Sequence, residues 1–176
     1  GAQSRKGEVN AIFEALNDMY NYKKIEKIDA PGTLDGGDVM RIDKCYYIGL
    51  SSRTNKEGAS QLAKILDSYG FSSQVVEMKE SLHLKSGVNY ILDNCLLSID
   101  EFKDNPLFQK FKIIQVEKDE EYAANCILVN GYLIMPKGYN KLKEKLTKAN
   151  YMIIELEMSE FKKMDGGLSC LSLRFP

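Results

Sequence analysis

The chain is short of several things, and each shortage removes a class of protein. It has one histidine and four cysteines in 176 residues. The cysteines, Cys45, Cys95, Cys126 and Cys170, stand 50, 31 and 44 residues apart, so no CxxC pair exists. A closed zinc site takes four nitrogen or sulfur ligands, usually as two close pairs. A structural metal is therefore not expected. A chain of this length does not depend on disulfide staples, so the thiols are read as free and the protein as cytoplasmic. There is no excess of charge, with 24 Lys and Arg against 25 Asp and Glu. A nucleic-acid binder needs a basic surplus to meet phosphates. No apolar run approaches the ~18–20 residues of a membrane span. The first eight residues hold no apolar stretch of the kind that marks a secretory signal. What remains, at 44% hydrophobic and 28% charged, reads as one soluble, globular domain, residues 1–176, with a proper core.

What is present is a repeat. Val39–Ile42 and Cys45–Leu50 are β-rich runs separated by a turn-like Asp43-Lys44. A helix follows, with Thr54-Asn55-Lys56-Glu57 as a capping-box pattern and Ala59, Leu62, Ala63, Leu66 and Tyr69 on one face. Gly70 stands at its expected stop, and the strand Gln74–Met78 comes next. The ββαβ order recurs. In the second unit Asn89–Leu92, an Asp93-Asn94 turn and Cys95–Ile99 precede a short helix opened by Asn105-Pro106, then Lys112–Val116. In the third, Asn125–Val129 turns at Asn130-Gly131 into Tyr132–Met135. A Lys-rich amphipathic helix and Tyr151–Leu156 complete it. Asp35, His83, Asn125 and Cys170 open successive units at separations of 48, 42 and 45 residues. Several copies of one unit around a common centre would aim these positions at one place. The ends fit the pattern less well. A helix over Glu8–Tyr20 and a strand Lys24–Ile28 look like the second half of a unit. Ser169–Phe175 looks like an opening strand without its helix. On this reading the chain is a piece of a longer protein.

Several residues carry candidate chemistry, each beside a blander reading. Cys170 follows Asp165-Gly166-Gly167-Leu168-Ser169, whose glycines would let a ligand approach the backbone. It is either a nucleophile, if a base lowers its pKa, or a small core residue. His83 is the one imidazole available as that base, and is otherwise a hydrogen-bonded structural histidine. In Gly32-Thr33-Leu34-Asp35-Gly36-Gly37-Asp38 a carboxylate could grip a guanidinium or orient an imidazole, and Asp-Gly is also an ordinary turn. Arg5 and Arg53, both at turns before helices, are either solvated or bidentate ligands for a substrate carboxylate.

These strings, taken in order and spacing, resemble the dimethylarginine dimethylaminohydrolase branch of the guanidino-modifying enzyme superfamily. The matching segments are Ser4-Arg5, Thr33–Val39, Gly49–Asn55, Leu82-His83-Leu84-Lys85-Ser86, Ala123-Ala124-Asn125-Cys126 and Asp165–Cys170. The resemblance implies a pentein-type α/β propeller, pseudo-fivefold, built from ββαβ units and here short of its N-terminal unit. It implies a small guanidino substrate held in a central channel, and it admits a homodimer. It carries over Cys170 as nucleophile, His83 as general acid and base, and Asp35 as the acidic partner of the histidine and guanidinium. Arg5 and Arg53 match positions that hold the substrate α-carboxylate, and Met164 and Asp165 lie at the α-amino end. The implied reaction is hydrolysis of an Nω-methylated arginine to citrulline and an alkylamine through a covalent thiouronium, and it needs no cofactor. Arginine deiminases and amidinotransferases usually carry an acid two residues past the histidine, where this chain has Lys85, which favours the methylarginine branch. The alternatives are a deiminase, another guanidine hydrolase or an amidinotransferase. From another class comes a non-catalytic binding protein on the same propeller, as in the ribosome anti-association factors. A chain short of one unit is expected to be weakly active or inactive alone.

Overall fold

The computed structural model describes residues 7–19 and 24–172. Within them one plan occurs three times: a hairpin, a crossover, and a strand that returns parallel to the hairpin's second arm. The first unit is β1 (Val39–Ile42), β2 (Cys45–Leu50), α2 (Lys56–Ser68) and β3 (Ser72–Glu77). The second is β4 (Val88–Tyr90), β5 (Cys95–Ser98) and β6 (Lys112–Gln115), preceded by the single turn α3 (Leu84–Gly87). The third is β7 (Ile127–Val129), β8 (Tyr132–Pro136), α4 (Asn140–Lys148) and β9 (Met152–Leu156). The middle strand of each sheet is antiparallel to its hairpin partner and parallel to the return strand. A parallel neighbour cannot be reached by a tight turn, which is why each sheet needs its crossover. A short helix, α5 (Ser159–Lys162), follows the last sheet.

The turns form where the sequence supplies residues that tolerate positive φ. Asp43 (φ 52°), Asp93 (52°), Asn94 (57°), Asn130 (50°) and Gly131 (81°) sit in the three hairpins. Asx side chains and glycine take that conformation at little cost. Gly70 (φ 77°) ends α2 as expected. The core gathers where the units meet. Leu96 and Leu97 of β5, Leu133 and Met135 of β8, and Leu142 and Leu146 of α4 are all fully buried. Each such side chain is worth about 1.5–3 kcal/mol in transfer from water.

Five local expectations are corrected. The helix at Asn105-Pro106 is a run of three-residue turns instead. The N–H groups of Asn105, Phe108 and Phe111 bond to carbonyls three residues back, at 3.1, 2.9 and 3.0 Å. Pro106 lacks an N–H and disfavours helical backbone at Asn105. Buried Phe102 and Phe108 hold the run against the core. At α2 the cap is Asn55, whose Oδ1 accepts from the Gly58 N–H at 2.8 Å, and Thr54 is committed elsewhere. Residues 24–28 and 169–172 are not strands. Among the described residues neither has a partner strand, and a strand without a ladder leaves its backbone unpaired. Residues 168–171 form a 3₁₀ turn instead. The first helix, α1 (Glu8–Glu14), continues as a π turn over Ala15–Met19. Its Val9, Ile12 and Phe13 are more than half exposed. Tyr20, Arg5 and residues 173–176 lie outside the described residues.

Candidate functional site

Asp35 is fixed by two neighbouring segments. It precedes a 3₁₀ turn, Gly36–Asp38, and its Oδ1 accepts from the Gly37 N–H at 3.2 Å. Its own N–H donates to Thr54 Oγ1 at 3.0 Å. Just upstream, Asn55 exchanges bonds with Thr33: the Thr33 N–H reaches Asn55 Oδ1 at 3.0 Å and the Asn55 N–H reaches the Thr33 carbonyl at 3.1 Å. A Cβ on Gly58 would stand 2.0 Å from that carbonyl, so the Asp35 loop can sit this close to α2 only because residue 58 is glycine.

Asp38 ties this loop to the histidine. It is fully buried. Its carboxyl group accepts from Ser51 Oγ at 2.7 Å, Thr54 Oγ1 at 2.6 Å and the Leu84 N–H at 3.0 Å. Ser51 Oγ in turn accepts from the N–H groups of Arg53 and Thr54, at 3.0 and 3.2 Å. One buried side chain thus organises the turn that carries Arg53, the threonine that holds Asp35, and the residue after His83.

The three named side chains meet there. Asp35 Oδ2 lies 3.5 Å from His83 Nε2 and 3.9 Å from Arg53 Nη1. All three are largely shielded, with side-chain exposures of 15% for Asp35, 13% for His83 and 29% for Arg53. The histidine contact is an ion-pair distance without hydrogen-bond alignment. Nε2 is shut off from solvent and makes no hydrogen bond among the described residues. The imidazole is held by packing: a Cβ on Gly37 would come within 2.6 Å of His83 Cγ. A buried imidazole nitrogen beside a carboxylate and not locked in a hydrogen bond is free to exchange a proton with an incoming group.

Cys170 sits on a separate loop. It is exposed, within the 3₁₀ turn Leu168–Leu171, and its N–H bonds to the Gly167 carbonyl at 3.0 Å. Among the described residues its thiol makes no hydrogen bond or ion pair with Arg53 or His83. The loop itself is clamped. The Tyr122 hydroxyl donates to the Gly166 carbonyl at 2.7 Å. Burial first, then the nearby Tyr139 and Cys170, push the Tyr122 phenol above its usual pKa, so it remains a neutral donor. Asn125 bonds Ser169 through both ends of its amide. Met164 is 84% exposed and Asp165 takes a left-handed φ of 56°, at the rim of this loop. Arg5 lies outside the described residues.

The residues that hold the site, Ser51, Thr54, Asp38, Tyr122 and Asn125, carry no chemical signature of their own. All of these but Tyr122 stand inside the strings that carry the family resemblance, and that was the signal available for them. A broad depression of about 860 Å³ lies elsewhere, lined by Glu77, Glu80, Asp100 and Glu101 among others, and contains none of Asp35, Arg53, His83 or Cys170. Among the described residues no three His, Cys, Asp or Glu side chains converge as a metal site. None of the described helices is long and apolar enough to cross a membrane.

The family model described as arginine deiminase matches residues 10–125, and the chain belongs to that family. Within it the likeness runs to a particular branch. The N(G),N(G)-dimethylarginine dimethylaminohydrolase of Pseudomonas aeruginosa is 48% identical over 175 residues, which are 99% of this chain and 68% of that protein. A solved structure of the Pseudomonas enzyme, a cysteine-to-serine mutant complexed with citrulline, superposes with a TM-score of 0.94 at 47% identity. It is matched over 99% of this chain and 68% of its own. Another solved dimethylarginine dimethylaminohydrolase, a histidine-to-glycine variant described as an adduct with S-methyl-L-thiocitrulline, gives a TM-score of 0.93 at 47% identity over the same shares. The fold is therefore the α/β pentein architecture of ββαβ units, and this chain spans about two thirds of the length of these relatives.

Proposed function

We propose that the chain carries the catalytic part of a hydrolase that cleaves the C–N bond of an Nω-methylated arginine, releasing citrulline and an alkylamine. The observation that carries the reading is the convergence of Asp35, Arg53 and His83, from three separate segments, in a shielded cluster. A relative with the same fold and 47% identity binds citrulline.

A guanidinium is stabilised by resonance and reacts slowly with water. A thiolate is the better nucleophile and divides the reaction into two steps. Asp35 attracts the cation. Cys170 sulfur attacks the guanidinium carbon, and His83 in its protonated form gives a proton to the departing amine as the C–N bond breaks. This leaves a thiouronium on Cys170 and a neutral imidazole. Water then attacks the same carbon while His83 removes its proton. The C–S bond breaks, the second proton of the water passes to solvent, the water oxygen becomes the ureido oxygen of citrulline, and the thiolate returns. Arg53, with Arg5, supplies guanidinium groups for the substrate α-carboxylate, and Met164 and Asp165 face its α-amino end. Lys85 stands where a deiminase usually has an acid, which supports a methylated substrate. The four free thiols support a reducing, cytoplasmic setting.

The test is to incubate the complete protein with dimethylarginine, methylarginine and arginine and to measure citrulline, with Cys170→Ser beside it. Citrulline from the methylated substrates, abolished in the variant, is expected. Citrulline mainly from arginine would move the protein to the deiminases. Undiminished turnover in Cys170→Ser would remove the cysteine mechanism.

A further inference from the structure

The two halves of the proposed catalytic pair, His83 and Cys170, belong to loops that share no backbone hydrogen bond among the described residues. Something must set their separation, because a covalent mechanism depends on reacting atoms held to within a fraction of an ångström. One side chain touches both loops. Asn125 is buried, with only 6% of it meeting solvent. Its Nδ2 donates to the Lys85 carbonyl at 3.2 Å and to Ser169 Oγ at 3.0 Å. Its Oδ1 accepts from the Ser169 N–H at 2.8 Å.

The partners dictate the orientation of this amide. The Lys85 carbonyl can only accept and the Ser169 N–H can only donate, so oxygen and nitrogen cannot exchange places. Both ends of the bridge are stiff. Lys85 lies in α3, whose Ser86 N–H bonds to the His83 carbonyl at 3.1 Å and whose Leu84 N–H is held by Asp38. His83 is the residue before that turn. On the other side Ser169 adjoins Cys170 in the 3₁₀ turn, with the Cys170 N–H bonded to Gly167. The approach is close enough to demand glycine: a Cβ on Gly167 would lie 2.7 Å from Asn125 Cγ. The segment before Asn125 adds the Tyr122 bond to Gly166.

We propose that Asn125 is a positioning residue that sets the distance and angle between His83 and Cys170, acting through Lys85 on one side and Ser169 on the other. It touches neither substrate nor reacting atoms. The proposal rests on the reading of His83 and Cys170 as acid–base and nucleophile. It assigns to a carboxamide 42 residues from the histidine and 45 from the cysteine a role that the chemistry of the pair requires and that neither member fulfils.

The test compares Asn125→Asp, Asn125→Leu and wild type in the complete protein. Aspartate keeps an acceptor for the Ser169 N–H, loses both donated bonds, and sets a carboxylate against the Lys85 carbonyl. Leucine keeps the volume and loses all three bonds. Two readouts are used: steady-state citrulline release, and the pH profile of Cys170 alkylation by iodoacetamide in the absence of substrate. Thermal melts identify variants that are folded. The expected result for folded Asn125→Asp is a fall in kcat of at least tenfold with KM within about twofold. Its alkylation profile should move toward that of His83→Ala. An Asn125→Asp enzyme with wild-type kcat would overturn the proposal. So would a reduced kcat with an alkylation profile identical to wild type, since the loss would then lie outside the pair. If Asn125→Asp does not fold, Ser169→Ala, which removes only the Oγ acceptor, serves instead. A smaller shift of the alkylation profile in the same direction supports the proposal, and no shift overturns it. Failure of the functional reading looks different. Wild type would release no citrulline, while Asn125→Asp and His83→Ala would still shift the alkylation profile together, leaving the positioning role intact.

Discussion

Replacing Asp38 by alanine tests whether the network described above holds the site together. The carboxyl group is fully buried and accepts three hydrogen bonds, from Ser51, Thr54 and the Leu84 N–H. Each such bond is worth about 1 kcal/mol net, and a buried donor left without a partner costs about 1–3 kcal/mol more. The Leu84 N–H has no route to water, because Leu84 itself is fully buried. The expected loss for Asp38→Ala is therefore about 4–6 kcal/mol, a large share of the roughly 5–15 kcal/mol that holds a domain folded. Asp38→Asn should lose less, since its carboxamide oxygen can keep the two hydroxyls, although its NH₂ cannot accept from the Leu84 N–H. Thr54→Val, which keeps shape and removes the bonds to Asp38 and from the Asp35 N–H, should cost about 1–2 kcal/mol. Urea titrations of the complete protein, extrapolated to water, give all three values. A loss under 1 kcal/mol for Asp38→Ala would refute the reasoning, as would a larger loss for Thr54→Val than for Asp38→Ala.

Other perturbations read other parts of the structure. Gly37→Ala would put a methyl group 2.6 Å from His83 Cγ and drive the ring off Asp35. The expected fall in kcat is on the order of a hundredfold, and an unchanged kcat would mean that the imidazole position does not matter. Burial holds the Cys126 thiol up at about 12, and also raises Cys95, whereas Cys170 is exposed. Iodoacetamide on the native protein should label Cys170 and spare Cys126 and Cys95 until denaturant is added, as peptide mass spectrometry would record. Glu101 caps the loop before His83, accepting from Ser81 Oγ and from the N–H groups of Lys79, Glu80 and Ser81. Burial alone would raise its pKa, but the Ser81 hydroxyl and the three N–H groups outweigh burial and bring it below its ordinary value. A lowered folded-state pKa gives stability that is complete above the unfolded value of about 4.3 and is lost as the pH falls through the folded one. Melting temperatures of wild type should drop more steeply below pH ~4 than those of Glu101→Gln, and parallel curves would contradict this.

What could be read from the sequence was local. Asn130-Gly131 and Asp93-Asn94 announced their hairpins because the turn chemistry lies in the turn residues themselves. The ββαβ repeat was legible through its spacing, and the convergence of Asp35 with His83 followed from it. Asn105-Pro106 misled because a helix-opening dipeptide says nothing of the two buried phenylalanines that bend the segment into turns. Thr54 looked like a cap because its alternative partner, Asp38, lies 16 residues upstream in the sequence. The bonds from Leu84 to Asp38 and from Asn125 to Ser169 span 46 and 44 residues. No window on the sequence sees such pairs, and they are the ones that shape the site.

The way the sheets are built has a consequence for how the protein is made. Each three-stranded sheet is complete within one contiguous stretch of chain, Val39–Glu77, Val88–Gln115 and Ile127–Leu156. Such stretches pay little loop-closure entropy and can form early and separately. The proposed catalytic residues are distributed differently: Asp35 and Arg53 flank the first sheet, His83 precedes the second, and Cys170 follows the third. In refolding, far-UV ellipticity should therefore return before citrulline production. The proposed site therefore depends on the three units being packed together, so it should be the last feature to appear on folding and the first to vanish under mild denaturant.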